Sequence, residues 1–277
     1  MKRLGLIVGS AYSGSSLLTL LFDKFTECYA VGEARQVYHG KVDGPCWRCG
    51  TSTADCSEWK QWDGEPFWRW LFDRIEQDVV VDSSKRPSWA ISELERDPEF
   101  ECEKVAIVLS KTIREQFASY WNHQNWSGDL NRKFEPASLI DQYINCYEKY
   151  LDMLSDAGIP TFSVTYQNLC DHTVQTMTGL ASRLKMGTQK GGERSHTLGG
   201  NPAVIAAASS NDKLAFGESG RENYLDGKYA DRSAGDAGIR YDESWSKLPA
   251  WVRHEANQRI KQRRTIVRDL AIVLGHE

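Results

Sequence analysis

Compact apolar runs punctuate the chain at Arg3 to Val8, Asp78 to Asp82, Lys104 to Ser110 and Pro160 to Thr165, and each gives way to small or polar residues. Short, nearly continuous apolar stretches of this kind read as strands buried on both faces. Helical periodicity fills the intervals, over Ser15 to Lys24, Pro87 to Arg96, Arg114 to Gln124, Pro136 to Ala157 and His172 to Lys185, with a helical tail from Trp251 to Leu274. Strands alternating with helices predict an α/β three-layer sandwich around a central parallel sheet. Ligands in such sheets bind beyond the carboxyl ends of the strands. That directs attention to Gly9 to Ser16, Asp82 to Lys85, Lys111 to Ser119 and Tyr166 to Asn168.

Two segments break the pattern. Residues 40 to 70 hold Cys46, Cys49 and Cys56 together with Trp47, Trp59, Trp62, Trp68 and Trp70, and read as a cap inserted into a single domain spanning residues 1–277. Residues 187 to 238 are rich in Gly, Ser, Ala and Asn and read as long loops over the site. The tryptophans serve either as core or as stacking surface for an acceptor. The spacing Cys46-x-x-Cys49 with Cys56 supplies three soft ligands, with His39 or Cys28 as a conceivable fourth. Metal binding, reduced thiols in an apolar cap and redox regulation all fit that pattern.

Composition narrows the functional classes. A net charge of −4 offers no broad basic field for nucleic acid, so any anion must be caught by local geometry. A mean hydropathy of −0.53, with no apolar run long enough for a span, leaves no membrane insertion. The apolar run after Met1-Lys2-Arg3 is too short for a secretion signal, which makes a cytoplasmic location the expectation. Seven cysteines in such a chain read as thiols or ligands rather than a disulfide framework.

The richest local chemistry follows the first strand. Gly9-Ser10-Ala11-Tyr12-Ser13-Gly14-Ser15-Ser16 has the glycine spacing of a phosphate-binding loop, in which backbone N–H groups and a helix N-terminus surround an anion. Nucleotide triphosphatases place a lysine after the second glycine; Ser15 stands there instead, which argues against a P-loop kinase, and Asp82 is the one plausible magnesium-binding carboxylate for that alternative.

With Ser after the glycine, the loop resembles the 5′-phosphosulfate loop of sulfotransferases that use 3′-phosphoadenosine 5′-phosphosulfate. The resemblance implies a P-loop NTPase-like sulfotransferase fold, release of adenosine 3′,5′-bisphosphate, and no catalytic metal. It assigns Ser10, Tyr12, Ser13, Gly14, Ser15 and Ser16 to the nucleotide, with Tyr12 where the family usually carries Arg or Lys. Lys111, Arg114 and Ser119, after the Val105 to Leu109 strand, resemble the 3′-phosphate site, Lys111 replacing the usual Arg. Tyr166, at the end of the last strand, joins the nucleotide set. The Gly199-Gly200-Asn201-Pro202 stretch is similar to a loop that bacterial members close over the nucleotide, and Tyr241 to Trp245 is similar to the segment before their terminal helix.

The same resemblance assigns the chemistry. Val31-Gly32-Glu33 is similar to the Gly-Glu element that supplies the base in tyrosylprotein sulfotransferases, and Ser84-Lys85 to an element that sets a lysine over the transferring group. Glu33 is then the base, Lys85 the stabilising cation and His196 an alternative base. The acceptor class, a small molecule, carbohydrate or peptide bearing a hydroxyl or amine, carries no shared pattern, and neither does the oligomeric state. A sulfotransferase-like binding protein without activity is the non-enzymatic alternative, for which Tyr12 and Lys111 are the relevant departures.

Overall fold

A computed structural model describes residues 1–35, 46, 48–49, 54–126, 135–187, 195, 197 and 244–276. Five strands form one sheet: β1 (Arg3–Val8), β2 (Cys28–Gly32), β3 (Val79–Lys85), β4 (Glu103–Ser110) and β5 (Thr161–Thr165). Every pairing is parallel and the order is β2-β3-β1-β4-β5. The strand β2 is the one the apolar-run pattern does not single out. Its Cys-Tyr-Ala-Val-Gly sequence is apolar but only five residues long, and all five are buried in the sheet.

Alternation along the strands separates two cores, because successive side chains point to opposite faces. Leu4, Leu6 and Val8 of β1, Val80 of β3 and Val108 of β4 enter one cluster; Ile7, Val79, Val81, Ile107 and Leu109 enter the other. The first face is covered by α2 (Phe67–Phe72), α3 (Pro87–Glu95), α5 (Pro136–Asp156) and the terminal helices α8 (Ala250–Gln262) and α9 (Arg264–Val273). The second is covered by α1 (Ser15–Phe22), α6 (Tyr166–Asp171) and α7 (Thr173–Arg183). Helix α4 (Ile113–Trp126) follows β4 and packs on α5 through the first cluster. The result is the expected three-layer α/β sandwich.

Two local features differ from the sequence pattern, and a third decides between its alternatives. The terminal helical stretch is broken at Arg263, where Asp141 of α5 accepts from both Arg259 and Arg263 and ties the two segments to one carboxylate. Strand β3 runs through Lys85, past the expected end at Asp82. Trp59, Trp68 and Trp70 are buried in the same cluster as the sheet, against Phe67 and Trp89, which is the core role for these rings. Trp47 lies outside the described residues. Edge strand β2 is closed by side chains that imitate a neighbouring strand: Ser195 Oγ accepts from the Ala30 N–H at 3.0 Å and Thr197 Oγ1 donates to the Ala30 carbonyl at 2.6 Å. No described helix is long and apolar enough to cross a membrane.

Candidate functional site

Strands β2 and β3 lie to one side of β1, and β4 and β5 to the other. The chain therefore leaves β1 and β4 in opposite directions, and the crevice between their carboxyl ends is where an open α/β sheet binds ligands. The loop at residues 9–14 and Lys111 flank that crevice.

The loop is shaped by its two glycines. A Cβ on Gly9 would collide with the Leu109 carbonyl, and one on Gly14 with the ring of Tyr166; Gly14 also adopts φ 101°, which a side chain disfavours. Gly14 caps α1 without any side-chain hydrogen bond, and no acidic residue sits in that helix's first turn, so the positive end of the helix dipole is not offset locally. Ser13 is fully buried, and its hydroxyl has no hydrogen-bond partner among the described residues. An orphan buried hydroxyl costs on the order of 1–3 kcal/mol unless something completes it.

Neighbouring helices hold the loop from outside. Tyr147 of α5 accepts from the Ser10 N–H at 3.4 Å and donates to the Leu109 carbonyl at 2.8 Å, clamping the ends of β1 and β4 together. One turn earlier, the Tyr143 hydroxyl donates to the Lys111 carbonyl at 2.8 Å. Burial pushes the pKa of both phenols up, which keeps them donors. Gln116 of α4 donates to the Ala11 carbonyl, and Tyr120 meets Tyr12 edge to face at 5.3 Å. Tyr12 holds φ 66°, an uncommon backbone for a bulky residue. Tyr143, Tyr147 and Gln116 escape the sequence reading. The two tyrosines show there only as apolar-face residues four apart on a helix, and Gln116 as one polar residue among several.

Lys111 is buried; its Nζ donates to Ser119 Oγ at 3.1 Å and sits 4.5 Å from the centroid of the Tyr166 ring, which itself covers Gly14. The structure thus brings together Lys111, Ser119, Tyr166 and the β1 loop. Arg114, expected beside Lys111, is instead engaged elsewhere: it donates to Asn257 of α8 at 3.2 Å and lies over the Trp245 ring. His196, Gly199, Gly200, Asn201 and Tyr241 lie outside the described residues.

A second, charged corner stands at the ends of β2 and β3. Both strands are irregular here, β3 carrying an extra residue against β1 between Asp82 and Lys85, and β2 an extra one against β3 between Ala30 and Gly32. Such offsets bend strands and re-aim side chains. Lys85 lies at φ 65°, its carbonyl accepts from the Gly9 N–H, and its ammonium forms an ion pair with Glu33, each side chain 20% exposed. Beneath the pair, Asp82 Oδ1 accepts from the Ala34 N–H and from Ser84 Oγ, and Oδ2 from the Ser84 N–H. Ser84 Oγ in turn accepts from the Arg35 N–H at 3.0 Å. These bonds fix the turn that presents Glu33. Burial, stronger than the opposing hydrogen bonds, pushes the Asp82 carboxyl up to about 7.

Comparison with known proteins gives the fold a context. No protein-family profile and no curated protein sequence matches the chain. Among solved structures, the sulfotransferase domain from the curacin biosynthetic pathway aligns over 95% of this chain and 97% of its own length, with a TM-score of 0.52 and 15% identity. The sulfotransferase domain of the Synechococcus PCC 7002 olefin synthase aligns over 94% of both chains, with a TM-score of 0.56 and 15% identity. The chain has the fold of these domains.

Proposed function

We propose that this chain is a sulfotransferase that moves a sulfuryl group from 3′-phosphoadenosine 5′-phosphosulfate to a hydroxyl or amine acceptor. The observation that carries the reading is the fully buried, unpartnered Ser13 hydroxyl inside a loop that has no lysine after Gly14. A nest of amides and hydroxyls at a helix N-terminus suits a phosphate or sulfate ester. A buried cation one strand away, Lys111 with Ser119, suits a second phosphate on the same nucleotide.

The residues divide the work by their chemistry. Ser13, Ser15, Ser16 and the α1 amides hold the 5′-phosphosulfate; Lys111 and Ser119 hold the 3′-phosphate, and the Tyr166 ring closes the cradle between them. When bound, the donor supplies the sulfuryl group and a phosphate leaving group. Glu33 takes the proton of the attacking acceptor, and Lys85 offsets negative charge as sulfur bonds to the acceptor's oxygen or nitrogen and the sulfur–oxygen bond to the phosphate breaks. The Glu33–Lys85 ion pair suits this exchange, because protonation of Glu33 releases Lys85 towards the leaving group. Asp82 and Ser84 act through Glu33, as positioning residues.

A kinase reading requires a magnesium ligand, and its one candidate, Asp82, is buried with both oxygens engaged by the Glu33 turn and Ser84. Calorimetry of the folded chain with adenosine 3′,5′-bisphosphate, set against ATP with magnesium, tests the assignment. Binding of the bisphosphate alone is expected. No heat from the bisphosphate would remove the donor from the proposal, and transfer from labelled donor to an acceptor panel separates an enzyme from a binding protein.

A further inference from the structure

The Glu33 turn leads into the segment that returns to the sheet at the aromatic cluster, and on the way three cysteines converge. The sulfurs of Cys46, Cys49 and Cys56 all lie within 4.8 Å of one another, and Cys49 and Cys56 are 3.6 Å apart. Cys46 and Cys56 are buried among the residues of the main core, whereas Cys49 faces solvent.

We infer that Cys46, Cys49 and Cys56 form a zinc site, with a structural role separate from the sulfuryl-transfer reading. A tetrahedral zinc with Zn–S bonds of about 2.3 Å sets its sulfurs about 3.8 Å apart, the spacing of one triangular face. The cluster has that size. The backbone N–H groups of Arg48 and Cys49 both turn towards Cys46 Sγ. Thiolate is the donor type that selects zinc over magnesium or calcium.

A disulfide is the competing use of these sulfurs, but it would join two of them and leave the third without a purpose in the cluster. A metal accounts for all of them. Among the described residues, Cys28 included, no fourth ligand atom joins the group, and His39, the other candidate from the sequence, lies outside the described residues. Binding displaces the thiol protons to solvent and ties Cys49 to the buried Cys46 and Cys56.

The test is metal analysis of the full chain purified under reducing conditions without chelator. About one zinc per chain is expected, as is tetrahedral thiolate–cobalt absorption when the stripped chain is titrated with cobalt. Cys49→Ser, chosen because the residue is exposed, should weaken cobalt binding at least about tenfold, since loss of even an outer-shell partner costs that much. Cys102→Ser, outside the cluster, should leave binding unchanged. A folded, reduced chain that takes up neither metal overturns the inference. So does cobalt binding unaltered in folded Cys49→Ser, or a Cys49–Cys56 disulfide in most of the isolated protein on non-reducing peptide mapping.

Discussion

Where β1 and β4 end, the chain surrounds an unpartnered hydroxyl with amides, serines and phenols, and admits one buried cation, Lys111. Where β2 and β3 end, it sets a carboxylate against an ammonium over a second, fully buried carboxyl. The first region is suited to holding charge that a ligand brings, and it moves no proton of its own. The second keeps its own charges in balance, an ammonium against a carboxylate. On the proposed reading binding and chemistry fall to different strands, and mutations should separate them.

The largest effect is expected at the charged corner. Glu33→Gln should lower turnover by roughly 10²- to 10⁴-fold, the range for loss of a general base, while calorimetry finds the affinity for adenosine 3′,5′-bisphosphate unchanged. Lys85→Ala should behave alike; affinity falling in step with turnover would merge the two regions into one. At the other region the pattern reverses. Lys111→Ala should weaken bisphosphate binding by about 10- to 100-fold, the worth of a charge-assisted hydrogen bond, with a smaller change in turnover at saturating donor.

Smaller effects probe the supports. Tyr147→Phe leaves the Leu109 carbonyl and the Ser10 N–H without their partner, and should lower unfolding free energy by about 1–3 kcal/mol in urea titrations. Asp82 has a pH signature. Its carboxyl is raised to about 7 in the fold, from about 3.9 unfolded, so the folded state holds the extra proton between those values. Stability should therefore fall as pH rises from about 4 to 7, by at most about 1.4 kcal/mol per pH unit, and level off above. Comparing wild type with Asp82→Asn isolates this term; parallel pH profiles for the two would show that Asp82 ionises freely.

Apolar periodicity was enough to read the sandwich, because strands buried on both faces announce themselves as continuous runs and long helices by their repeat. It did not single out β2, a five-residue apolar stretch that pairs with β3 and is closed by Ser195 and Thr197. The loop at Gly9 was readable because glycine spacing follows from backbone geometry. What escaped depends on contacts distant in sequence: Tyr147 lies 137 residues from Ser10, and Gln116 lies 105 from Ala11. Arg114 and Ser119 are five positions apart on one helix yet are engaged by different neighbours, a distinction that local charge pattern does not contain.

The extra residue between Asp82 and Lys85 ties the Glu33–Lys85 ion pair to chain length. Lys85 stands opposite Val8 although three positions separate it from Asp82, so deleting Ser83 would keep that pairing and the valines of β3 in place while removing the irregularity and the left-handed backbone that aim its side chain. Composition would barely change, yet the ammonium would no longer meet Glu33. Single-residue deletions at this strand end, more than substitutions, are where a relative of this chain would lose the ion pair while keeping its architecture.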